Sequence, residues 1–289
     1  VLTSATLTTR KRFDFLRGRL GIAPEELAHA DAEVEVREDI VMSPFDFADQ
    51  ALLAIPTDLP SASGSGWSGG FGAPGSPGSS SSGAPGSGGP RAPIGFDEAT
   101  SRVLVDFSEI TDGGLFALFT SYGALRRVAA GLREAGIDGR WPLFVQGEGD
   151  RHRLLDHFVS SGRGILLGTS SFWEGVDVPG DPLRGLLIQK LPFRVPTEPI
   201  TAARMEALER QGLDPFQNFM LPHAALRLKQ GFGRLIRSRG DRGAVLMLDD
   251  RILTKRYGRY LRESLPPAPL VKGAWSDVER RIRDFYAGA

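Results

Sequence analysis

The stretch QGFGRLIRSRGD, residues 230–241, sets Arg234 and Arg237 three residues apart, with Gln230 four positions before the first. On a single helix these three fall at i, i+4 and i+7 and share a face, while Leu228, Phe232 and Leu235 line another suited to burial against a sheet. Two guanidiniums presented from one face match the charge and oxygen geometry of a polyphosphate. The alternative is a pair of solvated arginines on an exposed helix. Gly231 and Gly233 sharpen the choice, because an interior glycine costs about 1 kcal/mol relative to alanine. Close approach of another group to the backbone is a physical reason to keep them. The segment from His223 to Glu263 holds eleven Lys and Arg against four Asp and Glu, a local net of +7 in a chain of zero formal charge. An anionic partner fits that imbalance, and so does a solvated basic face.

Other chemistries are limited by composition. The chain has no cysteine, which removes disulfides, thiolate metal sites and thiol nucleophiles from these residues. Its four histidines show no metal-ligand spacing, so no metal site is expected. No G-x-x-x-x-G-K-[ST] loop occurs, and "DEAT" at 97–100 follows Pro93, Ile94, Gly95 and Phe96 rather than ending a buried strand. Asp97 is expected to be a helix N-cap instead. A hydrophobic fraction of 41% and a charged fraction of 24% suit a soluble globular protein. No apolar run approaches a membrane span, so a cytoplasmic location and no membrane partner are expected. Opening at Val1 in mid-pattern, the chain reads as the tail of a longer protein.

Short apolar runs supply the elements that must hold the arginines. Residues 115–119, 142–145, 164–168, 185–190 and 244–248 suit strands buried on both faces. Between the first two, Leu125, Val128, Ala129 and Leu132 recur at helical spacing, with Gly136 as a stop signal. Strand, helix, strand in repetition predicts an α/β fold, a mostly parallel sheet with helices on both faces. Within residues 1–60, "EVEVREDIV" partly alternates and reads as strand-like. Residues 61–93 contain 26 Gly, Ser or Pro among 33 and are expected to be a flexible, disordered insertion. Residues 197–229 form a helical excursion, with Pro215 and Pro222 expected to break it.

Four motifs occur in a fixed order: TSATL at 3–7, LFTSY at 118–122, GTSSFWEGVDVPGDPL at 168–183 and QGFGRLIR at 230–237. They resemble the third to sixth motifs of superfamily 2 helicases. The wording of SFWEGVDVPG, KLPFRVPTEPI and LKQGFGRLIR is most similar to the DinG branch of the XPD-like DNA helicases. The resemblance implies a RecA-like C-terminal motor domain of an ATP-dependent, 5′-to-3′ DNA helicase. It divides the chain into a first part at 1–60, the insertion, and the main body at 94–289.

By the same resemblance Arg234 and Arg237 are arginine fingers, and Gln230, Gly233, Glu174, Gly175 and Asp177 lie on the ATP side. Thr120, Ser121, Gln146, Gly147, Arg151, Thr169 and Ser170 are assigned to single-stranded DNA, and Ser4, Ala5 and Thr6 to coupling. Arg227 and Lys229 are expected to face nucleic acid, and Trp173 to pack inward. ATP with Mg²⁺ is the implied cofactor, its metal ligands in an N-terminal RecA-like domain of the same protein, the expected partner. An iron–sulfur cluster is compatible only outside this segment. The finger pair is expected at the sheet edge where the fifth-motif loop emerges. A non-catalytic nucleic-acid module and an α/β interaction domain are the competing readings.

Overall fold

The computed structural model describes residues 2–4, 6–22, 35–62, 94–169, 172 and 183–288. Along the chain come helix α1 (Asp14–Leu20), the turn α2 (Phe47–Gln50), strand β1 (Ala51–Pro56) and α3 (Phe96–Thr111). Then follow β2 (Leu115–Leu118), α4 (Tyr122–Glu134), β3 (Leu143–Val145), α5 (Arg151–Ser161), β4 (Ile165–Gly168) and β5 (Gly185–Ile188). The last third holds α6 (Pro199–Arg210), α7 (Leu221–Leu235), β6 (Gly243–Met247), α8 (Arg251–Thr254), α9 (Arg256–Glu263), β7 (Leu270–Gly273) and α10 (Trp275–Ala287).

The strands form one seven-stranded sheet in the order β3-β4-β2-β5-β6-β1-β7, and every described pairing is parallel. Side chains alternate between two cores because successive residues of a strand point to opposite faces. Leu53 and Ile55, Phe116 and Leu118, Leu186 and Ile188, and Val245 and Met247 pack with α5, α7, α8 and α9 on one face. Leu52 and Ala54, Leu115 and Ala117, Leu187, and Ala244 and Leu246 pack with α3, α4 and α10 on the other. Helices cover both faces, as expected. Truncating the fully buried Phe107 on α3 to alanine would cost about 3–5 kcal/mol.

Several local expectations are corrected. The strand in the first part of the chain is β1, all six residues buried, whereas residues 35–43 of the "EVEVREDIV" region have no regular structure. Among the described residues no strand pairs with this stretch; Val41 and Met42 are 87% and 85% exposed. Helix α3 is capped by Gly95 rather than Asp97, whose carboxylate instead accepts from Gln189 Nε2 at 2.8 Å and Arg127 Nε at 2.7 Å. Pro222 does not break the excursion. The chain passes through one wide π turn, Phe216–Met220, directly into α7, and Pro222 lies in the first turn of α7. A missing N–H is absorbed by that register change. Gly136 does follow the end of α4, in the left-handed conformation at φ +70°. Of the insertion, Ser61 and Ala62 are described and Ala62 is buried; residues 63–93 lie outside the described residues.

Candidate functional site

Since the strands are parallel, their ends define two opposite edges. At the carboxyl edge β2 delivers Thr120 and Ser121, both exposed, and Ser121 caps α4 by accepting from Ala124 N at 3.2 Å. β3 delivers Gln146 and then Gly147, whose φ of +97° belongs to the left-handed region. β4 delivers Thr169. One side chain joins the three strand ends. Gln146 Oε1 accepts from Thr169 N at 2.6 Å and Thr169 Oγ1 at 2.9 Å, while its Nε2 donates to Tyr122 Oη at 2.5 Å. Arg151 opens α5 and holds its guanidinium 5.2 Å from the Phe172 ring, with Nη2 buried and lacking a hydrogen-bond partner among the described residues. Asp150 caps the same helix, and the Arg153 amide, foremost, keeps its carboxyl below the usual range.

Six of the residues assigned to DNA therefore share one edge: Thr120, Ser121, Gln146, Gly147, Arg151 and Thr169. Ser170 lies outside the described residues, as do Glu174, Gly175, Asp177 and Trp173.

The arginine pair stands at the other edge. α7 ends at Leu235, and Ile236 is extended at φ −118°, ψ 110°, so Gln230 and Arg234 lie on the helix but Arg237 does not. The cause is Asp241, whose side chain offers the backbone a competing set of hydrogen bonds. It accepts from Arg237 N at 2.6 Å, Ser238 N at 2.8 Å and Ser238 Oγ at 2.5 Å. Burial works to raise the Asp241 carboxyl, and the bonds from Ser238 and Arg237 outweigh it, holding the group below its ordinary value. Gln50, just ahead of β1, fixes this turn by donating to Ser238 O at 2.8 Å and Asp241 O at 2.9 Å.

A Cβ on Gly243, the first residue of β6, would stand 2.6 Å from Leu235 and 2.7 Å from Arg184 O, which places the end of α7 against the starts of β5 and β6. The fifth-motif segment leaves β4 at Thr169 on the carboxyl edge and returns at Leu183 on this one. Arg234 and Arg237 thus lie where that segment returns, opposite to the expectation. The antiparallel course of α7 across the sheet dictates it. Gly233 is exposed, and a Cβ there would meet nothing within 4 Å.

Directly after the third-motif segment, Thr8 bonds to Lys229 on α7 and Thr9 Oγ1 lies 2.9 Å from Tyr260 Oη on α9. Ser4 Oγ accepts from Thr6 N at 3.2 Å, and Ala5 lies outside the described residues. Lys229 Nζ, with a pKa lowered by burial, donates to Thr8 O at 3.3 Å and Thr8 Oγ1 at 3.1 Å. Its expected place toward nucleic acid is corrected by that anchor. Sequence reasoning also missed Asp249, which is fully buried at the end of β6 and receives Arg251 Nε at 2.8 Å, Arg251 Nη2 at 2.6 Å and Leu191 N at 2.9 Å. An aspartate directly after the strand run AVLML was the available signal.

A parallel sheet covered on both faces, with polar strand ends at one edge and arginines at the other, defines a RecA-like α/β domain. Residues 104–268 match the model of the helicase C-terminal domain, and the chain belongs to that family, in its DinG/XPD-like branch. The ATP-dependent DNA helicase YoaA of Escherichia coli K12 is 36% identical over 283 residues, covering 98% of this chain and 37% of that protein. The 3′-5′ exonuclease DinG of Bacillus subtilis 168 is 33% identical over 284 residues, covering 98% of this chain and 27% of that protein. The chain thus spans about a third of the length of these relatives. An XPD helicase structure shares the fold, with TM-score 0.50 at 16% identity over 77% of this chain and 35% of that one. Among the described residues no helix is long and apolar enough to cross a membrane.

Proposed function

We propose that this chain is the second motor half of an ATP-dependent DNA helicase, completed by an N-terminal RecA-like domain of the same protein. The order of its parts is that first domain, residues 1–60, the insertion at 61–93, and the body at 94–289. ATP with Mg²⁺ supplies the free energy of phosphoryl transfer when bound between the two halves. The residues here hold charge. Arg234 and Arg237 neutralise the negative charge that spreads over the phosphoryl oxygens, Gln230 orients the nucleotide-side network, and Gly233 lets the facing surface approach the backbone. Glu174, Gly175 and Asp177 belong to the same side. Thr120, Ser121, Gln146, Gly147, Arg151, Thr169 and Ser170 receive the phosphates of single-stranded DNA at the carboxyl edge, using strand ends and helix N-termini. Ser4, Ala5 and Thr6 couple the two sites.

The observation that carries this reading is Gly233. A helix accepts a costly glycine two residues from its end, next to Arg234, and no described atom of the chain occupies the space over it. This exposed backbone suits close approach by a ligand or domain from outside. The residues present fit charge stabilisation and lack the phosphate-cradling loop, so the metal ligands and catalytic base belong to the other domain. The test is turnover by the purified 289-residue chain with ATP, Mg²⁺ and oligothymidylate. No DNA-stimulated phosphate release is expected; its appearance would overturn the division of labour.

A further inference from the structure

At the amino edge a buried polar side chain stands outside the proposed chemistry. Gln50 closes α2, and the next residue, Ala51, pairs with Gly243 at the start of β6. That register sets Gln50 beside the turn that carries Arg237. Only 9% of Gln50 is exposed. Its Nε2 spends both hydrogens on the turn, at 2.8 Å from Ser238 O and 2.9 Å from Asp241 O, while Oε1 accepts from Asp46 N at 2.9 Å. Carbonyl oxygens accept and never donate, so the amide nitrogen is the atom that must face them. Asp46 is itself fixed, because its carboxylate caps α2 by accepting from Ala48 N at 3.1 Å.

Glutamine is what this arrangement demands. A glutamate would set a carboxylate against two carbonyls, a methionine would fill the space and bond neither, and an asparagine falls one methylene short. The turn is gripped from two sides. Asp241 holds the amides of Arg237 and Ser238 from within, and Gln50 holds the carbonyls of Ser238 and Asp241 from across the sheet edge. Since Ile236 is already extended, Arg234 takes its place from α7 whereas the backbone of Arg237 takes its course from the turn.

We propose that Gln50 is a positioning residue for phosphoryl transfer, fixing through Ser238 and Asp241 the backbone from which Arg237 reaches the nucleotide. It rests on the reading of Arg237 as an arginine finger. Gln50 itself touches no phosphate. Its effect is geometric, and a misplacement of about 1 Å in a charge-bearing group can cost roughly 10²-fold in rate.

The experiment measures kcat and KM for DNA-stimulated ATP turnover by the full-length protein and by its Gln50→Met, Gln50→Asn, Arg237→Ala and Gln50→Met/Arg237→Ala variants. Far-UV circular dichroism and urea midpoints report the fold. A misplaced finger loses an interaction made in the transition state, so Gln50→Met should lower kcat by roughly 10- to 10²-fold and leave KM for ATP within about twofold. Gln50→Asn, which keeps the amide on a shorter arm, should fall between that variant and the parent. In the Arg237→Ala background Gln50→Met should cost less than about twofold, because the residue it acts through is gone. Unchanged kcat in folded Gln50→Met would overturn the proposal; should that variant fail to fold, unchanged kcat in Gln50→Asn does the same. A loss repeated in full without Arg237 would assign Gln50 to general stability and overturn its positioning role. Undiminished turnover by Arg237→Ala would overturn the finger reading itself, and this inference with it.

Discussion

The two edges of the sheet are built by different means. At the carboxyl edge, Gln146 ties β2, β3 and β4 together through Tyr122 and Thr169, and Asp249 pins the loop after β5. Residues from several elements converge there. At the amino edge, Arg234, Arg237 and Gly233 come from one helix end and the turn after it, braced by Asp241 and Gln50, and the space over Gly233 is open. On the proposed function, the first edge receives the strand with residues of this chain, and the second offers Arg234 and Arg237 to a nucleotide held by another domain. The proposed motor half would use both kinds of surface, because gripping the strand and answering the nucleotide have to be separable before they can be coupled.

The largest effect that tests this contrast is Arg234→Ala in the full-length protein. DNA-stimulated ATP turnover should fall by about 10³ or more, the usual cost of an absent finger. Oligothymidylate affinity should stay within about twofold, as the proposed strand contacts lie at the other edge. An equal loss of affinity would mean that the edges are not independent. Gly233→Ala sharpens the comparison with effects of opposite sign. In the isolated chain nothing obstructs the new methyl group, and helix propensity should raise stability by up to about 1 kcal/mol, or roughly 2–4 °C in Tm. In the full-length protein the same change should slow turnover. A gain in stability with no loss of turnover would remove the reason given for the glycine.

The smallest effect concerns the brace. The Asp241 carboxyl is held below its unfolded value of about 3.9, so its contribution is present above that pH and is lost as pH falls through the lower folded value. Asp241→Asn should unfold at lower urea than the parent at neutral pH. The gap between their midpoints should narrow once pH drops below the ordinary carboxylate range. A gap constant with pH would assign the brace to shape rather than charge.

Legibility followed the physics of burial. Strands covered on both faces show up as continuous apolar runs, so β2, β3, β4, β5 and β6 were readable, as was α4 from its 3.6-residue period. β1 was masked by a neighbour. "EVEVREDIV" alternates as a half-buried strand should, and alternation alone does not supply a pairing partner. The sixth motif was legible as residues but not as geometry, since the local bonds of Asp241 end the helix before Arg237. Thr120, Gln146 and Thr169 could be placed at one edge because each follows a readable strand run, while their assignment to DNA came from the resemblance.

Residues 104–268 define the family match, but β1 at 51–56 and β7 at 270–273 fall outside it and occupy two of the seven sheet positions. A chain trimmed to the family limits would strip both, together with α10, whose Tyr286 hydroxyl bonds Arg184 O and the Ala244 amide. β6, whose five residues GAVLM are all buried, would become an uncovered border. Such a strand is a template for self-association, so the shortened protein should precipitate for reasons unrelated to its catalytic parts.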